Sequence, residues 1–243
     1  MKKRKFKKQH KTIVGEVLQV KGNYNKNLWR RNIEPKGDRQ KKYLELIKSK
    51  DIIFGIGPAG TGKSLLACNS AIELLIERKA SKIILCRPVV ESGERLGYLP
   101  GDIEQKLNPY LRPLYDCLSY IFTPNIINGM VEDKTIEILP LAFTRGITFK
   151  KSVVILDEAQ NCTVEQMKMF LTRLGEGSKL IINGDVTQVD LEHKKSGLQE
   201  AYNQLCSHPK GGVIDEIGSV ILLKEDIIRH PVVAKIIEKW NGF

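Results

Sequence analysis

The feature that most constrains this chain is the octapeptide Gly57-Pro-Ala-Gly-Thr-Gly-Lys-Ser64, which fills every position of the pattern Gly-x-x-x-x-Gly-Lys-Ser/Thr. An apolar run, 52–56, precedes it directly and an amphipathic segment, 65–78, follows. A glycine-rich loop between a buried strand and a helix turns backbone N–H groups inward and presents a positive helix terminus, so its natural ligand is a phosphate group. Gly57, Pro58, Ala59, Gly60, Thr61 and Gly62 are the candidate cradle. Lys63 is expected over the β- and γ-phosphates and Ser64 on a magnesium ion.

Further apolar runs fall at 82–86, 152–156, 179–183 and 220–223, and all but one of the five are continuous rather than alternating. Continuous runs belong to strands buried on both faces of a parallel sheet. Helical spacing appears at 38–50, 63–78, 102–120, 163–174, 196–206 and 231–240. Thr163 and Gln166 form a capping-box pair ahead of Met167 and Phe170. Repeated strand, loop and helix predict an α/β fold with a mostly parallel sheet and ligands at the strand carboxyl ends.

Two strand ends carry further chemistry. Val153-Val-Ile-Leu-Asp157-Glu158 closes an apolar run with adjacent carboxylates, which suits Asp157 for magnesium and Glu158 for polarising an attacking water. The run 179–183 leads into Gly184-Asp-Val-Thr-Gln-Val-Asp190, where Thr187 or Gln188 could sense a γ-phosphate if that strand lies between the loop strand and the Asp157 strand. Asp157-Glu-Ala-Gln160 belongs to helicase-like ATPases more than to small-molecule kinases, and no lid-like arginine cluster is readable.

Charge is uneven. Residues 1–50 hold 17 basic and 4 acidic side chains, leaving 22 basic and 24 acidic in the remaining 193 of the 243 residues. A basic extension, 1–36, followed by a nearly neutral domain, 37–243, is the expected organisation. Such a front segment could neutralise nucleic-acid phosphates or simply solvate the protein. The five cysteines form no Cys-x-x-Cys pair, which fits reduced thiols, and no apolar stretch spans a membrane. The expectation is a cytoplasmic protein.

The run Leu85-Cys-Arg-Pro-Val-Val-Glu-Ser-Gly-Glu-Arg-Leu-Gly-Tyr-Leu-Pro-Gly-Asp102, with Asn108-Pro-Tyr-Leu-Arg-Pro-Leu-Tyr115, resembles the signature of PhoH-like ATPases. Asp157-Glu-Ala-Gln-Asn161, 166–175, 184–191 and Ile228-Arg-His-Pro231 resemble the same family in the same order. The resemblance implies a RecA-like P-loop NTPase core related to superfamily 1 helicases, with strand order 5-1-4-3-2 and helices on both faces. It also implies ATP and magnesium as cofactors, and a homo-oligomeric ring, with a hexamer expected. By the same resemblance, Gln188 corresponds to the γ-phosphate sensor, Gln40 to a glutamine that reads adenine and Arg229 to a candidate arginine finger. One departure is clear: Pro140-Leu-Ala-Phe-Thr-Arg-Gly-Ile-Thr148 carries Ile147 where the family usually has a second arginine, so Arg145 receives no firm role. The implied function is an ATPase acting on or with RNA or single-stranded nucleic acid. The alternative is a non-catalytic scaffold assembled by ATP.

Overall fold

The apolar runs become strands because both of their faces can be covered. A computed structural model of the chain describes residues 33–89, 103–191, 195–207 and 212–228, together with Val232 and Lys239. The strands are β1 (Ile52–Ile56), β2 (Lys82–Arg87), β3 (Ile136–Pro140), β4 (Ser152–Leu156), β5 (Lys179–Gly184) and β6 (Ile217–Ile221). Every pairing among them is parallel. The order across the sheet is β3-β2-β4-β5-β1-β6. When the five expected runs are numbered along the chain, this is 5-1-4-3-2 with one extra strand, β3, added beyond the run at 82–86.

Residues alternate between two cores because successive strand side chains point to opposite faces. On one face Ile53, Ile83, Ile155 and Ile181 pack under four helices. These are α1 (Asp38–Ser49), α2 (Lys63–Ile76), α3 (Ile103–Ile121) and α4 (Pro124–Glu132). On the other face Phe54, Val154, Leu156 and Ile182 meet Met167 and Phe170 of α5 (Val164–Leu171) and Leu198 of α6 (Gly197–Tyr202). A π-helical turn, Asn203–Ser207, continues α6.

One expectation shifts. The last strand is centred earlier than the run 220–223, because Gly218 and Ser219, outside any apolar run, pair with Ile53 and Phe54 of β1. Gly218 sits against Leu46 of α1, a contact that no local signal reports. The expected helix 231–240, Arg229, most of the 85–102 signature and the front segment as far as residue 32 lie outside the described residues. Among the described residues no helix is long and apolar enough to cross a membrane.

Candidate functional site

The site is assembled where β1, β4 and β5 end side by side. β1 stops at Ile56, and the loop that follows is stitched to both neighbours: Gly57 N–H donates to Gly184 O at 3.0 Å and Leu222 N–H to Ile56 O at 2.7 Å. A third bond, Ile228 N–H to Gly60 O at 2.9 Å, ties the segment after β6 across the loop. Gly62 is the N-cap of α2 with φ +81°, a left-handed conformation that side chains resist. No side chain caps this helix, so its first-turn N–H groups face the loop's concavity.

Lys63 is 8% exposed. Its ammonium donates to Gly57 O at 2.5 Å, to Pro58 O at 2.9 Å and to Thr61 Oγ1 at 3.3 Å, all within the loop. Ser64 Oγ donates to Asp157 Oδ1 at 2.6 Å, joining the start of α2 to the end of β4 across 93 residues of chain. Two hard oxygen ligands from separate elements therefore converge, as a magnesium site with several retained waters requires. Asp157 is 7% exposed. Burial pushes its carboxyl above the usual range, the Ser64 bond pulls it down, Glu158 raises it, and Arg87 and Lys63 lower it. The carboxylate is short of positive charge, which a bound divalent cation would supply, so the residues fit the ion.

Glu158 stands beside it with φ +54° and ψ +39°, a left-handed conformation rare for a non-glycine residue and enriched at functional sites. Its carboxylate accepts from Gln160 Nε2 at 2.7 Å and lies 3.6 Å from Arg87 Nη2. Arg87 ends β2, and no sequence motif gives it a role. Its place follows from the sheet, since Asp157 N–H bonds Cys86 O at 2.9 Å, putting the residue after Cys86 alongside the two acids. A charged residue terminating an apolar strand is the signal that could have found it.

Gln40 lies on α1 at 1% exposure. Its Nε2 donates to Thr61 O at 2.9 Å and its Oε1 accepts from Lys36 N–H at 2.7 Å, so the carboxamide braces the phosphate loop. Three residues on, Tyr43 donates to Asn183 Oδ1 at 2.5 Å beneath β1 and β5. β5 lies between β1 and β4, which brings its terminal loop, with Thr187 and Gln188 exposed, to the same edge. Thus Lys63, Ser64, Asp157 and Glu158 meet, Gln40 joins them through the loop backbone, and Gln188 is carried on the adjoining loop. Arg145 lies apart from this cluster on the turn after β3, exposed with Phe143 and Ile147. The architecture is that of a P-loop NTPase.

Comparison with known proteins gives the family. A curated PhoH-like protein of Bacillus subtilis (strain 168) is 51% identical over 217 residues, covering 89% of this chain and 66% of its own length. One from Mycobacterium bovis is 47% identical over 214 residues, covering 88% of this chain and 59% of its own. Protein PhoH of Escherichia coli (strain K12) is 41% identical over 209 residues, covering 85% and 57%. The chain therefore spans less than two thirds of the length of these relatives. Among solved structures, the helicase domain of Pyrococcus furiosus Hef aligns with a TM-score of 0.48 at 13% identity, over 80% of this chain and 39% of that one. The family model described as PhoH-like protein matches residues 32–241, and with relatives at this level of identity the chain belongs to the PhoH-like family.

Proposed function

We infer that the chain is a magnesium-dependent ATPase, and the observation that carries this reading is the 2.6 Å bond between Ser64 Oγ and Asp157 Oδ1. It brings the phosphate loop and the paired carboxylates of β4 to one point, where Ser64 and Asp157 would hold magnesium. The ion would screen phosphate charge and stabilise negative charge building on the transferred group. Lys63 and the first-turn N–H groups of α2 bind the β- and γ-phosphates. Glu158 takes the proton of the attacking water, Gln188 senses the γ-phosphate, and Gln40, already bonded to the loop, offers its remaining amide proton to adenine. Arg229 would reach a γ-phosphate across a subunit boundary of a ring, where such residues contribute about 10³–10⁵ in rate.

RNA or single-stranded nucleic acid is the proposed partner, supported by the basic excess of residues 1–50. A cytoplasmic location fits both substrates. The test is steady-state hydrolysis with and without RNA. Lys63→Ala is expected to lose ATP binding and turnover together. Glu158→Gln is expected to bind ATP normally while kcat falls by about 10²–10⁴, the usual contribution of a positioned base. Full turnover in Glu158→Gln would remove Glu158 as the base, whereas ATP binding with no hydrolysis by the unaltered protein would leave the ATP-assembled scaffold in place of the enzyme.

A further inference from the structure

Beyond β4 the chain turns through Ala159–Asn161, and this turn holds more than the two carboxylates that precede it. Gln160 and Asn161 are 1% and 9% exposed. A buried carboxamide needs both a donor and an acceptor, and these two side chains find most of theirs on a single neighbouring loop. Gln160 Nε2 donates to Glu158 Oε2 at 2.7 Å, while its Oε1 accepts from Asp185 N–H at 3.0 Å. Asn161 Oδ1 accepts from Asp190 N–H at 2.8 Å, and its Nδ2 donates to Asp190 Oδ2 at 3.2 Å. The two ends of the loop 185–190 are therefore gripped by consecutive residues.

Between its ends the loop is folded upon itself. Asp185 Oδ1 accepts from the N–H and the hydroxyl of Thr187, at 3.0 and 2.6 Å, and Asp185 O accepts from Gln188 N–H at 3.0 Å. Thr187 and Gln188 are left exposed at its middle. The close approach depends on Gly184, where a Cβ would come within 2.7 Å of Gln160 Oε1 and 2.4 Å of Leu198 Cδ2. Filling a turn requires none of this polarity, since an apolar side chain at 160 would pack without committing to Glu158.

We propose that Gln160 and Asn161 are positioning residues that hold the Gln188 loop in fixed register with the Glu158 carboxylate, so that both groups meet the γ-phosphate as one unit. The inference rests on the roles given above to Glu158 and Gln188. A carboxamide suits the task because one rigid plane carries a donor toward one strand end and an acceptor toward the other. Gln160 spans the ends of β4 and β5, and Asn161 closes the far end of the loop.

The test is a swap across the Asn161–Asp190 pair, read in the whole 243-residue chain with and without Gln188. Asn161→Asp sets two carboxylates against each other, Asp190→Asn keeps a donor facing an acceptor, and the double variant restores the bond with its polarity reversed. Asn161→Asp should lower kcat on the order of tenfold, as expected when a reacting group is displaced by a fraction of an ångström. The KM for ATP should stay within about twofold, because Lys63 and the phosphate loop, which carry most of the binding, are untouched. Asp190→Asn should remain near wild type and the double variant should recover. In a Gln188→Ala background, Asn161→Asp should cost little more, since its route to the rate runs through that loop. An equal loss with and without Gln188, no loss in Asn161→Asp, or no recovery in a folded double variant would overturn the proposal. Should Asn161→Asp fail to fold, Asn161→Ala reads the same coupling. If Glu158→Gln and Gln188→Ala themselves turn over at the wild-type rate, the reading of those two residues has failed and the proposal falls with it. If they are impaired while residue 161 is silent, the positioning role alone is lost.

Discussion

Asp157 shows how a functional residue can work against the stability of its own fold. Its carboxyl titrates above the ordinary 3.8, chiefly because burial disfavours the charge. The native state thus binds the proton more tightly than the unfolded chain does. The stability of the metal-free protein should therefore fall as pH rises from that ordinary value to the raised one, and stay lowered at neutral pH. Asp157→Asn keeps an acceptor for Ser64 and removes the charge. In chelator at pH 7 it should stabilise the protein by about 1 kcal/mol, roughly 2–4 °C in Tm for a chain of this size, while losing magnesium-dependent turnover. A variant that melts below wild type under those conditions would show that burial of this charge is not a penalty. Glu158 bears a second cost, its left-handed backbone, of order 1–3 kcal/mol. Sequence pointed to both acids through their place after an apolar run. It held no sign of the backbone conformation, and it marked Arg87 only as a charge closing an apolar run, because its approach to Glu158 depends on which strand lies alongside.

At the scale of elements, local rules and packing contributed unequally. α5 was legible because its start is encoded within four residues: Thr163 Oγ1 accepts from Gln166 N–H at 3.3 Å, and Gln166 Oε1 accepts from Thr163 N–H at 2.9 Å. Thr163→Ala should cost about 1 kcal/mol, seen as a lower denaturant midpoint at unchanged m-value. A larger loss would mean that the cap also anchors α6, whose Gly197 packs on Thr163. β3 was not legible. It is an edge strand with three half-buried residues, and Glu137 interrupts its apolar pattern while pairing with Lys82 of β2 at 2.8 Å. α4 is short and carries Asn125 and Gly129 among its apolar residues, which hides its period. α1 read as an amphipathic helix. Its bracing of the site, through Gln40 to Thr61 and Tyr43 to Asn183, appears only once the helix is laid over β1 and β5.

For the whole molecule, the uneven charge sets a prediction of its own. Residues 1–32 hold 11 of the 39 basic side chains and only one acidic one, ahead of the residues that build the site. Removing them should weaken binding to labelled single-stranded RNA. The slope of log affinity against log salt should decrease by about 0.7 for each phosphate no longer neutralised, with basal hydrolysis unchanged. Equal slopes in the two proteins would move nucleic-acid binding to residues 33–243. What the sequence determined by itself was the local chemistry: the phosphate loop, the paired acids, the capping box and the parallel character of the sheet. Each depends on residues within a few positions of one another, where backbone conformation and hydrophobic period act directly. The resemblance implied the strand order, but only the tertiary structure decided the contacts that order makes: the added edge strand β3, the Ser64–Asp157 bond, the Arg87–Glu158 approach and the double grip on the Gln188 loop. Continuous apolar runs are nearly interchangeable as sheet members, so strand order is set by helix packing and crossover connections that bring residues 93 positions apart within 2.6 Å.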